Sequence, residues 1–514
     1  MKKIIIHFIF ITVSIILIYS NVIDGDFLFD DEHFILRNIY ITDWKYIKNI
    51  FLKNVTAGAG LTDNFWRPLS TVIWLFLNKT FGLDKRIFHI TNILFHILTS
   101  IILYLLLLKL YNNNKISLLG SLFFAVHPVN TEAVSYISGL GDPLSLCFVL
   151  FCIYFYISFK EKPNIFKSII FLLSNIVAIL AKERAVIIPS LILLFELYFS
   201  FKQRNYFISK RPYYSYLLFF ITSLISLVWL ILRLTILNFQ NTFNFYKIPN
   251  IYSQNLYVRI YTFLSNFLEY LKLLIIPYPL YMERQVTIFT SFTSTRVILG
   301  FIILVGIFII CIKSIKKYPE LFLSYTWFLL CLLPTSGIIP INAIFMEHWL
   351  FFSMIGCSIF ISFLLIKHNW TKYLLIPILI IFSFLTYKQN FVWKDSYSFF
   401  QHILKYNPNS VAANNNFAMA AAEMGEIDKA ILHYKKAISL DNTFPQPRHN
   451  LARIYVSLSQ FEKAIQEYKE ALKIDPDFIY THIDLLKLYT YLNQPKMAEF
   501  HKKEIERITK KVYE

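Results

Sequence analysis

Eleven long apolar runs fill most of the first 390 residues, and their length constrains the fold more than any other feature of the sequence. They lie at residues 4–20, 87–109, 116–130, 143–159, 165–181, 186–201, 214–237, 296–312, 320–334, 348–366 and 372–387. A helix needs about 20 apolar residues to cross the hydrocarbon core of a bilayer. Because 56% of the 514 residues are hydrophobic, one soluble core could not bury them. The sequence therefore predicts an all-α membrane domain of about eleven transmembrane helices.

Short basic clusters between the runs predict the orientation of the helices. Lys and Arg total 50 against 32 Asp and Glu, but the clusters are scattered between apolar runs, which argues against nucleic acid as a partner. If Lys2 and Lys3 are cytoplasmic, strict alternation puts every second loop on that side. Those loops carry Lys109 and Lys115; Lys160, Lys162 and Lys167; Lys202, Arg204, Lys210 and Arg211; Lys313, Lys316 and Lys317; Lys367 and Lys372. The C-terminus then lies on the opposite face, which is periplasmic, extracellular or lumenal.

The first apolar run has a second interpretation as a cleaved signal peptide, because two lysines precede it. No small-x-small cleavage pattern follows at Ile18-Tyr19-Ser20-Asn21, however. We therefore expect the run to remain as the first span of a multi-pass protein. A bacterial cell membrane is the favoured location, and the endoplasmic reticulum is the alternative.

A period of 34 residues marks the C-terminal segment. Ala430 recurs as Ala464 and Ala498, and Tyr434 recurs as Tyr468. This is the spacing of the tetratricopeptide repeat (TPR), in which small residues let two helices pack closely. The sequence predicts a TPR α-solenoid over residues 391–514, with repeats at about 410–444, 445–478 and a degraded 479–512. The module either binds a peptide or protein on its concave surface or serves only as a structural cap.

Ionisable residues gather on one predicted face of the membrane domain, opposite to the basic loops. They are Asp30, Asp31, Glu32, His33, Arg67, His127, Glu132, Asp142, Lys182, Glu183, Arg184, Glu347 and His348. Some have simpler explanations: His127 can cap a helix end, Glu347 can pair with Lys182, and Arg67 can anchor to lipid headgroups. Together, their recurrence at one membrane boundary favours a site there. The two cations of the segment 182–184 oppose the charge bias of the other loops, which favours an anionic ligand.

Sugar transfer from a lipid-linked phosphate to a hydroxyl suits these groups. The reaction needs a carboxylate to take the proton of the acceptor, cations to neutralise the leaving phosphate, and a location at headgroup depth. Asp30 or Asp31 meets the first requirement, and Arg67, Lys182 and Arg184 meet the second. Alternatively, the acidic pair and the two residues after it could hold a divalent metal ion through oxygen and imidazole ligands.

Several motifs, taken in order, resemble those of a known family. They are Phe29-Asp30-Asp31-Glu32-His33-Phe34-Ile35, Trp66-Arg67-Pro68-Leu69, Phe88-His89-Ile90-Thr91-Asn92 with Phe95-His96, His127-Pro128 with Thr131-Glu132-Ala133-Val134, Lys182-Glu183 with Pro189, Pro334-Thr335-Ser336, and Glu347-His348-Trp349-Leu350. Ahead of TPR repeats, this set resembles the transmembrane and TPR repeat-containing protein O-mannosyltransferases and their prokaryotic relatives. The resemblance covers nearly the whole chain. It implies a membrane glycosyltransferase domain of the GT-C type over residues 1–390.

The resemblance also implies a reaction, namely inverting transfer of a sugar, often mannose, from a polyprenyl phosphate to Ser or Thr hydroxyls of a protein. The matching catalytic motif is Asp30 and Asp31, and we expect Asp31 to be the base. His89 joins the residues expected to line the site. The donor is a substrate, and no cofactor is required beyond the possible divalent metal.

One departure from the family pattern is Gly139-Leu140-Gly141-Asp142, since relatives usually have Gly-Arg before this Asp. A cation that could contact the donor phosphate is therefore missing, although Arg67, Lys182, Arg184 and Arg259 could compensate. The long outer segment 238–295, with Glu269, Glu283 and Arg284, is expected to hold an amphipathic helix against the membrane, over the acceptor groove.

Two other classes of function stay open on the sequence. A catalytically inactive, membrane-anchored TPR scaffold would bind other proteins, but it would need only one anchoring span. A transporter would carry its ionisable groups at mid-bilayer between inverted repeats, whereas here they lie at helix ends and no repeat is recognisable. We therefore favour a glycosyltransferase with a lipid-linked sugar donor, whose TPR module binds the acceptor protein or a partner.

Overall fold

The computed structural model describes residues 2–202, 212–235, 237, 249–341 and 343–513. Arg204, Lys210 and Arg211 of the predicted basic loops lie outside these ranges, as do residues 238–248 of the predicted outer segment. Within the described ranges the chain is helical and has no β-strand, which confirms the all-α fold class. It forms two compact units, Met1–Met282 with Val286–Lys394, and Glu283–Gln285 with Asp395–Glu514.

The first unit contains sixteen described α-helices. They are α1 (Lys2–Tyr19), α2 (Ile47–Leu52), α3 (Pro68–Phe81), α4 (Lys85–Tyr111), α5 (Asn114–Ala125), α6 (Thr131–Ser135), α7 (Gly141–Glu161), α8 (Ile165–Ala181), α9 (Ile188–Phe201), α10 (Pro212–Leu234), α11 (Ile251–Gln254), α12 (Leu256–Ile275), α13 (Thr295–Ser314), α14 (Pro319–Leu332), α15 (Leu350–Lys367) and α16 (Thr371–Asn390). One-turn helices at Glu32–Leu36, Ile137–Leu140 and Glu347–Trp349 lie in the connections.

Every one of the eleven apolar runs coincides with a helix of this unit. By length and composition, eight segments of the described chain could cross a membrane: Lys2–Val22, Lys85–Tyr111, Ile137–Glu161, Glu183–Phe201, Tyr216–Leu234, Thr295–Ser314, Glu347–Lys367 and Thr371–Trp393. The other three runs form the shorter helices α5, α8 and α14, of 12, 17 and 14 residues. The protein is a membrane protein, and the count of eleven spans stays a prediction.

Polar side chains at the helix starts explain several boundaries. Asp84 accepts a hydrogen bond from the N–H of Arg86 at the start of α4, and Asn113 accepts from Lys115 and Ile116 at the start of α5. Such caps satisfy N–H groups that lack a partner in the first turn. Short polar residues between apolar runs therefore mark where each helix begins.

Hydrogen bonds to backbone carbonyls join neighbouring helices inside the unit. Ser145 Oγ on α7 donates to the Ala178 carbonyl of α8 at 2.9 Å, and Trp327 Nε1 on α14 donates to the Phe352 carbonyl of α15 at 3.0 Å. Within lipid, apolar surface alone gives little drive for helices to associate, so packing and bonds of this kind hold the bundle.

The amphipathic helix expected in the segment 238–295 corresponds to α12. Its buried side includes Arg259, Phe267 and Tyr270, and its exposed side includes Tyr257. Glu269 pairs with Arg296 at the start of α13, with 2.6 Å between Oε1 and Nη2. The position of α12 relative to a membrane or an acceptor groove stays a prediction.

The second unit consists of α17 (Ser396–Tyr406), α18 (Val411–Glu423), α19 (Ile427–Leu440), α20 (Pro445–Ser457), α21 (Phe461–Ile474), α22 (Ile479–Tyr491) and α23 (Pro495–Tyr513). Helices α18 to α23 form three pairs at the predicted repeats, and α17 packs on α18 as an additional helix. Ala430 and Ala464 are fully buried where paired helices meet, whereas Ala498 of the degraded third repeat is only half-buried. The TPR architecture is thus present even where the sequence signature weakens.

Two histidines meet between α22 and α23. His482 and His501 are 3% and 4% exposed, and their Nδ1 atoms lie 2.9 Å apart. His482 Nε2 lies 3.0 Å from the Pro476 carbonyl oxygen, so we assign the proton of this ring to Nε2. His482 Nδ1 then accepts a hydrogen bond from His501 Nδ1–H. This hydrogen bond requires that Nδ1 of His482 carries no proton.

Acidification is expected to loosen α22 and α23. Burial and the neighbouring His482 lower the pKa of His501 to about 4, while Glu504 raises it and Lys469 lowers it. An unfolded His titrates near 6.5, so between pH 6.5 and about 4 the unfolded state binds more protons. The stability associated with burying neutral His501 is therefore lost as the pH falls through this window.

Hydrogen–deuterium exchange, corrected for the intrinsic rate, should show faster opening of residues 479–513 at pH 5 than at pH 7. His501→Phe retains a ring that can stack on Tyr489, whose ring plane lies 6° from that of His501, and it removes the titrating group. This variant should show a smaller pH dependence. Equal protection of wild type at both pH values would contradict the assignment.

Candidate functional site

A cluster of ionisable side chains forms where helix ends and connecting segments of the first unit meet. Its members are Asp30, Asp31, Asp63, Arg67, Glu132, Asp142, Lys182, Glu183, Arg184, Arg233 and His348, and we call it the polar cluster. Asp142 lies in the first turn of α7, and Arg233 lies in the last turn of α10. Glu132 lies on the short helix α6, and the segment 182–184 connects α8 to α9. Helix ends of apolar helices thus supply most of these groups.

Asp31 is the most enclosed carboxylate of the polar cluster. Its Oδ2 accepts from the N–H of Leu28 at 2.8 Å, and its Oδ1 accepts from the N–H of Ser138 at 2.8 Å and from the Ser138 hydroxyl. Burial raises the pKa of Asp31 to about 7, and these hydrogen bonds oppose that rise. The carboxylate therefore ties the segment after α1 to the one-turn helix Ile137–Leu140.

Asp30 has a more open environment than Asp31. The residue is half-buried, and its backbone N–H donates to the Tyr136 hydroxyl at 2.8 Å. Burial raises the pKa of Asp30, while the charges of His33 and Arg67 and a hydrogen bond from Tyr136 lower it. Asp30 is thus a half-buried acidic residue, less enclosed than Asp31, with a cation nearby.

Arg67 makes a bidentate ion pair with Glu183. Nη2 lies 2.8 Å from Oε1 and Nε lies 3.2 Å from Oε2, and the two side chains are 12% and 22% exposed. The guanidinium also lies over the Phe65 ring, 4.6 Å from its centroid. The planar fork of Arg is therefore held in place while part of it remains accessible.

Arg233 belongs to the same group and was missed in the sequence. It is buried, its Nη2 donates to the Asn64 carbonyl at 2.5 Å, and its charge interacts with Glu183, Arg67 and Asp63. A signal existed, since Arg233 is a cation at the predicted outer end of an apolar run, against the charge bias. The same argument had identified Lys182 and Arg184.

Lys182 and Arg184 are held by groups of the protein itself. Lys182 Nζ lies 2.6 Å from Asp142 Oδ2, and both side chains are buried. Arg184 lies 3.8 Å from Asp142 Oδ1 and donates to the carbonyl oxygens of Cys331 and Trp349 at 2.9 and 2.7 Å. An anionic ligand would have to compete with these partners.

The remaining predicted site residues have partners of their own. His348 donates its backbone N–H to Glu132 Oε2 at 2.8 Å, and its Nδ1 lies 2.7 Å from Oε1. Glu347 accepts from the N–H of Tyr281 at 2.8 Å. Lys182, the partner suggested for Glu347 by the sequence, pairs with Asp142. Further bonds to backbone are made by His89 (Gly25 carbonyl), His127 (Leu274 carbonyl and Val129 N–H) and Arg259 (carbonyls of Gly337, Tyr252 and Ser253).

A metal ion was one alternative for the acidic pair and its neighbours. In the described part of the chain, no group of three or more His, Cys, Asp or Glu side chains is close enough to hold one. The carboxylate of Asp31 faces hydrogen-bond donors, and Glu32 pairs with Arg37 at 2.5 Å on the exposed side. The arrangement of these residues does not fit a metal centre.

Leu140, at the position where the family resemblance led us to expect Arg, is fully buried in an apolar cluster with Phe34, Trp74, Phe88 and Leu144. It lies on the one-turn helix whose Ser138 bonds to Asp31. Leu140 therefore stabilises, by apolar packing, the segment that carries Ser138, and this position supplies no cation to the polar cluster.

These observations define the class as a polytopic helical membrane protein with a polar cluster at its helix ends and a separate TPR unit. A TPR repeat model matches residues 418–456 and 452–489, which confirms the repeats. A protein O-mannosyl-transferase of Caenorhabditis elegans is 23% identical over 83% of this chain and 62% of its own length. The mouse protein O-mannosyl-transferase TMTC3 is 24% identical over 85% of this chain and 51% of its own length.

The human protein O-mannosyl-transferase TMTC3 is 33% identical over a shorter stretch, 35% of this chain and 20% of the relative. The chain is therefore similar, over most of its length, to the transmembrane and TPR repeat-containing protein O-mannosyltransferases. It spans 62% and 51% of the lengths of the nematode and mouse relatives.

Proposed function

We propose that the protein is a membrane glycosyltransferase that transfers a sugar from a polyprenyl-phosphate donor to Ser or Thr hydroxyls of a protein. Mannose is the first candidate for this sugar. The observation that carries the proposal is a half-buried acidic residue, Asp30, within range of the charge of Arg67 among helix ends. The names of the relatives along most of the chain support the reaction type.

Asp30 is the proposed general base. It takes the proton of the acceptor hydroxyl as the oxygen bonds to the anomeric carbon, and the bond from that carbon to the phosphate oxygen breaks. The phosphate leaves with the electron pair, and attack from the opposite side inverts the anomeric centre. A carboxylate whose pKa is raised by burial is a better proton acceptor near neutral pH than an ordinary Asp.

Asp31 has a different proposed role from the one expected for it. Its carboxylate is fully buried, and protein donors occupy both of its oxygens. A base must reach the proton it abstracts, so this environment supports Asp31 as a positioning residue that fixes the segment carrying Asp30.

Arg67 is the proposed contact to the departing phosphate, with Arg233 adding positive charge behind it. Both cations interact with Glu183, and Asp63 also lies within range of their charges. Charge-assisted bonds from an Arg fork would stabilise the phosphate as it gains negative charge. Lys182, Arg184 and Arg259 are proposed to shape the site, because they are buried, whereas Arg67 is half-buried, and carboxylate or carbonyl groups already engage them.

The proposed topology has a cytoplasmic N-terminus and places both the polar cluster and the TPR unit on the other face. The basic loops described above support it through the positive-inside rule. The TPR unit is proposed to bind the acceptor protein or a partner. A bacterial cell membrane is the proposed location.

A transfer assay with purified full-length protein in detergent tests the activity. Labelled mannose on polyprenyl phosphate is offered with mixed Ser/Thr peptides, and label is expected in the peptides. Arg67→Gln should lower transfer by about 100-fold, as expected for loss of a group that stabilises developing charge. Arg37→Gln is the matched control, since it removes an exposed cation from the same segment. No transfer from mannosyl, glucosyl or N-acetylhexosaminyl donors would overturn the proposal.

A catalytically inactive TPR scaffold is the second candidate. Two features favour it: Leu140 in place of the expected Arg, and the engagement of Lys182 and Arg184 by protein groups. On that reading the protein transfers no sugar, and Arg67→Gln does not alter its capture of partner proteins.

A further inference from the structure

The first helices of successive TPR repeats carry two rows of side chains in register. Asn416 on α18, Asn450 on α20 and Asp484 on α22 follow one another at intervals of 34 residues. Met419, Arg453 and Lys487 do the same, each three residues after a member of the first row. Residues three apart on a helix are neighbours on one face. The two rows therefore run side by side across the repeats. We call the first the amide row, after Asn416 and Asn450, and the second the cationic row, after Arg453 and Lys487.

The amide row connects the first two repeats through hydrogen bonds. Buried Asn415 donates to Asn416 Oδ1 at 2.9 Å and accepts from Asn450 Nδ2 at 3.1 Å. Asn416 and Asn450 are half-buried, and these bonds leave the Nδ2 group of Asn416 and the Oδ1 atom of Asn450 available. A side-chain amide offers both a donor and an acceptor, which matches the N–H and C=O groups of an extended backbone.

The cationic row exposes more positive charge than its neighbours neutralise. Arg453 and Lys487 have side chains that are 64% and 74% exposed, and they share Asp484 at 3.8 and 3.9 Å. His449 also approaches Asp484, at 3.7 Å, but burial lowers the pKa of His449 to about 4, so it adds no charge at neutral pH. Two cations thus face one carboxylate, and the excess is open to solvent.

We propose that the amide and cationic rows form a binding surface for an extended peptide segment that carries acidic side chains. The amides of Asn416 and Asn450 pair with its backbone, and Arg453 and Lys487 pair with its carboxylates. The proposal rests on the partner-binding role of the TPR unit in the proposed function, but it does not require sugar transfer. Charge complementarity of this kind favours one class of partner over another.

Fluorescence anisotropy with full-length protein in detergent tests the surface. One probe is a fluorescein-labelled peptide of about twelve alternating Asp and Ser residues, and the other has Asn at every Asp position. The acidic peptide is expected to bind about tenfold more tightly at low salt, with a smaller advantage at high salt because exposed charges are screened. Asn450→Ala should weaken binding of both peptides.

Two double variants test whether the cationic row causes the preference for the acidic peptide. Arg453→Gln with Lys487→Gln should remove the preference for the acidic peptide and leave binding of the Asn peptide unchanged. Lys463→Gln with Lys473→Gln makes the same change in net charge on α21, the second helix of its repeat, and should preserve the preference. Equal affinity of wild type for both peptides, or an equal loss in both charge variants, would overturn the proposal. Sugar transfer without binding of either peptide would overturn this surface and leave the proposed activity standing.

Discussion

Asp30→Asn is expected to lower sugar transfer by at least about 100-fold while leaving thermal stability close to that of wild type. The substitution keeps the size of the side chain of a half-buried residue and removes only its capacity to accept a proton. The backbone N–H of Asp30, which donates to the Tyr136 hydroxyl, is unchanged. The measurements are kcat/KM in the transfer assay and the thermal unfolding midpoint of the same preparation.

Asp31→Asn is the matched comparison and should give the opposite pattern. Leu28 N–H, Ser138 N–H and the Ser138 hydroxyl all donate to the carboxylate, so an Asn amide must turn an N–H group toward one of these donors. A buried donor without an acceptor costs about 1–3 kcal/mol. The variant should therefore unfold at lower temperature, and the fraction that remains folded should keep its activity. Loss of transfer at unchanged stability in Asp31→Asn, with an active Asp30→Asn, would reverse the two roles.

The pH dependence of stability separates the same two residues. The pKa of Asp31 is about 7 in the folded protein and 3.8 as an ordinary value, so between these values the folded state binds more protons than the unfolded state. The contribution of Asp31 to the free energy of unfolding therefore decreases as pH rises from about 4 to about 7. This slope should be smaller in Asp31→Asn. Transfer by wild type should increase with pH as Asp30 loses its proton, above the usual range of an Asp because burial raises the pKa of Asp30.

Lys182→Met is expected to lower the free energy of unfolding by about 3–5 kcal/mol. It leaves Asp142 buried without its 2.6 Å partner, and the nearest remaining cation is Arg184 at 3.8 Å. Adding Asp142→Leu should restore most of the loss, because an apolar pair of similar volume avoids burying an unpaired charge. Lys79→Met, which removes an exposed lysine of α3, should have little effect. Thermal unfolding in detergent measures all four proteins, and wild-type stability in Lys182→Met would contradict this account of the pair.

The same series separates structure from substrate binding. If Lys182 only holds Asp142, the folded double variant should transfer sugar at a rate near that of wild type. If Lys182 also contacts the donor phosphate, the double variant should be stable and have a raised KM for the donor.

The long apolar helices were predictable from the sequence because a segment in lipid must satisfy its own backbone hydrogen bonds, which leaves a long apolar run for each of them. The TPR unit was predictable from its period. The pairing of distant polar groups was not, since no spacing rule links Arg67 to Glu183 or Asp31 to Ser138. A serine in an apolar segment also gives no sign that it will bond to a carboxylate.

The choice between Asp30 and Asp31 illustrates the limit of sequence reasoning. Two adjacent Asp residues look equivalent in the sequence. Only the three-dimensional structure shows that donors enclose Asp31 and that Asp30 is half-buried. Arg233 differs, because the rule that identified Lys182 would also have identified it. Local patterns therefore predicted which groups gather at the helix ends, and tertiary structure determined which of them face one another.

The bonds of Arg184 have a consequence for how this protein can vary over evolution. Arg184 joins the end of α14 to the start of α15 through the carbonyl oxygens of Cys331 and Trp349, and every residue type supplies a carbonyl. The side chains at those two positions are therefore free to change without breaking the joint. Arg184 itself is not replaceable in this way, because Lys lacks the planar guanidinium that donates to several acceptors at once. In distant homologues, we expect Arg at this position to persist while the residues it joins diverge.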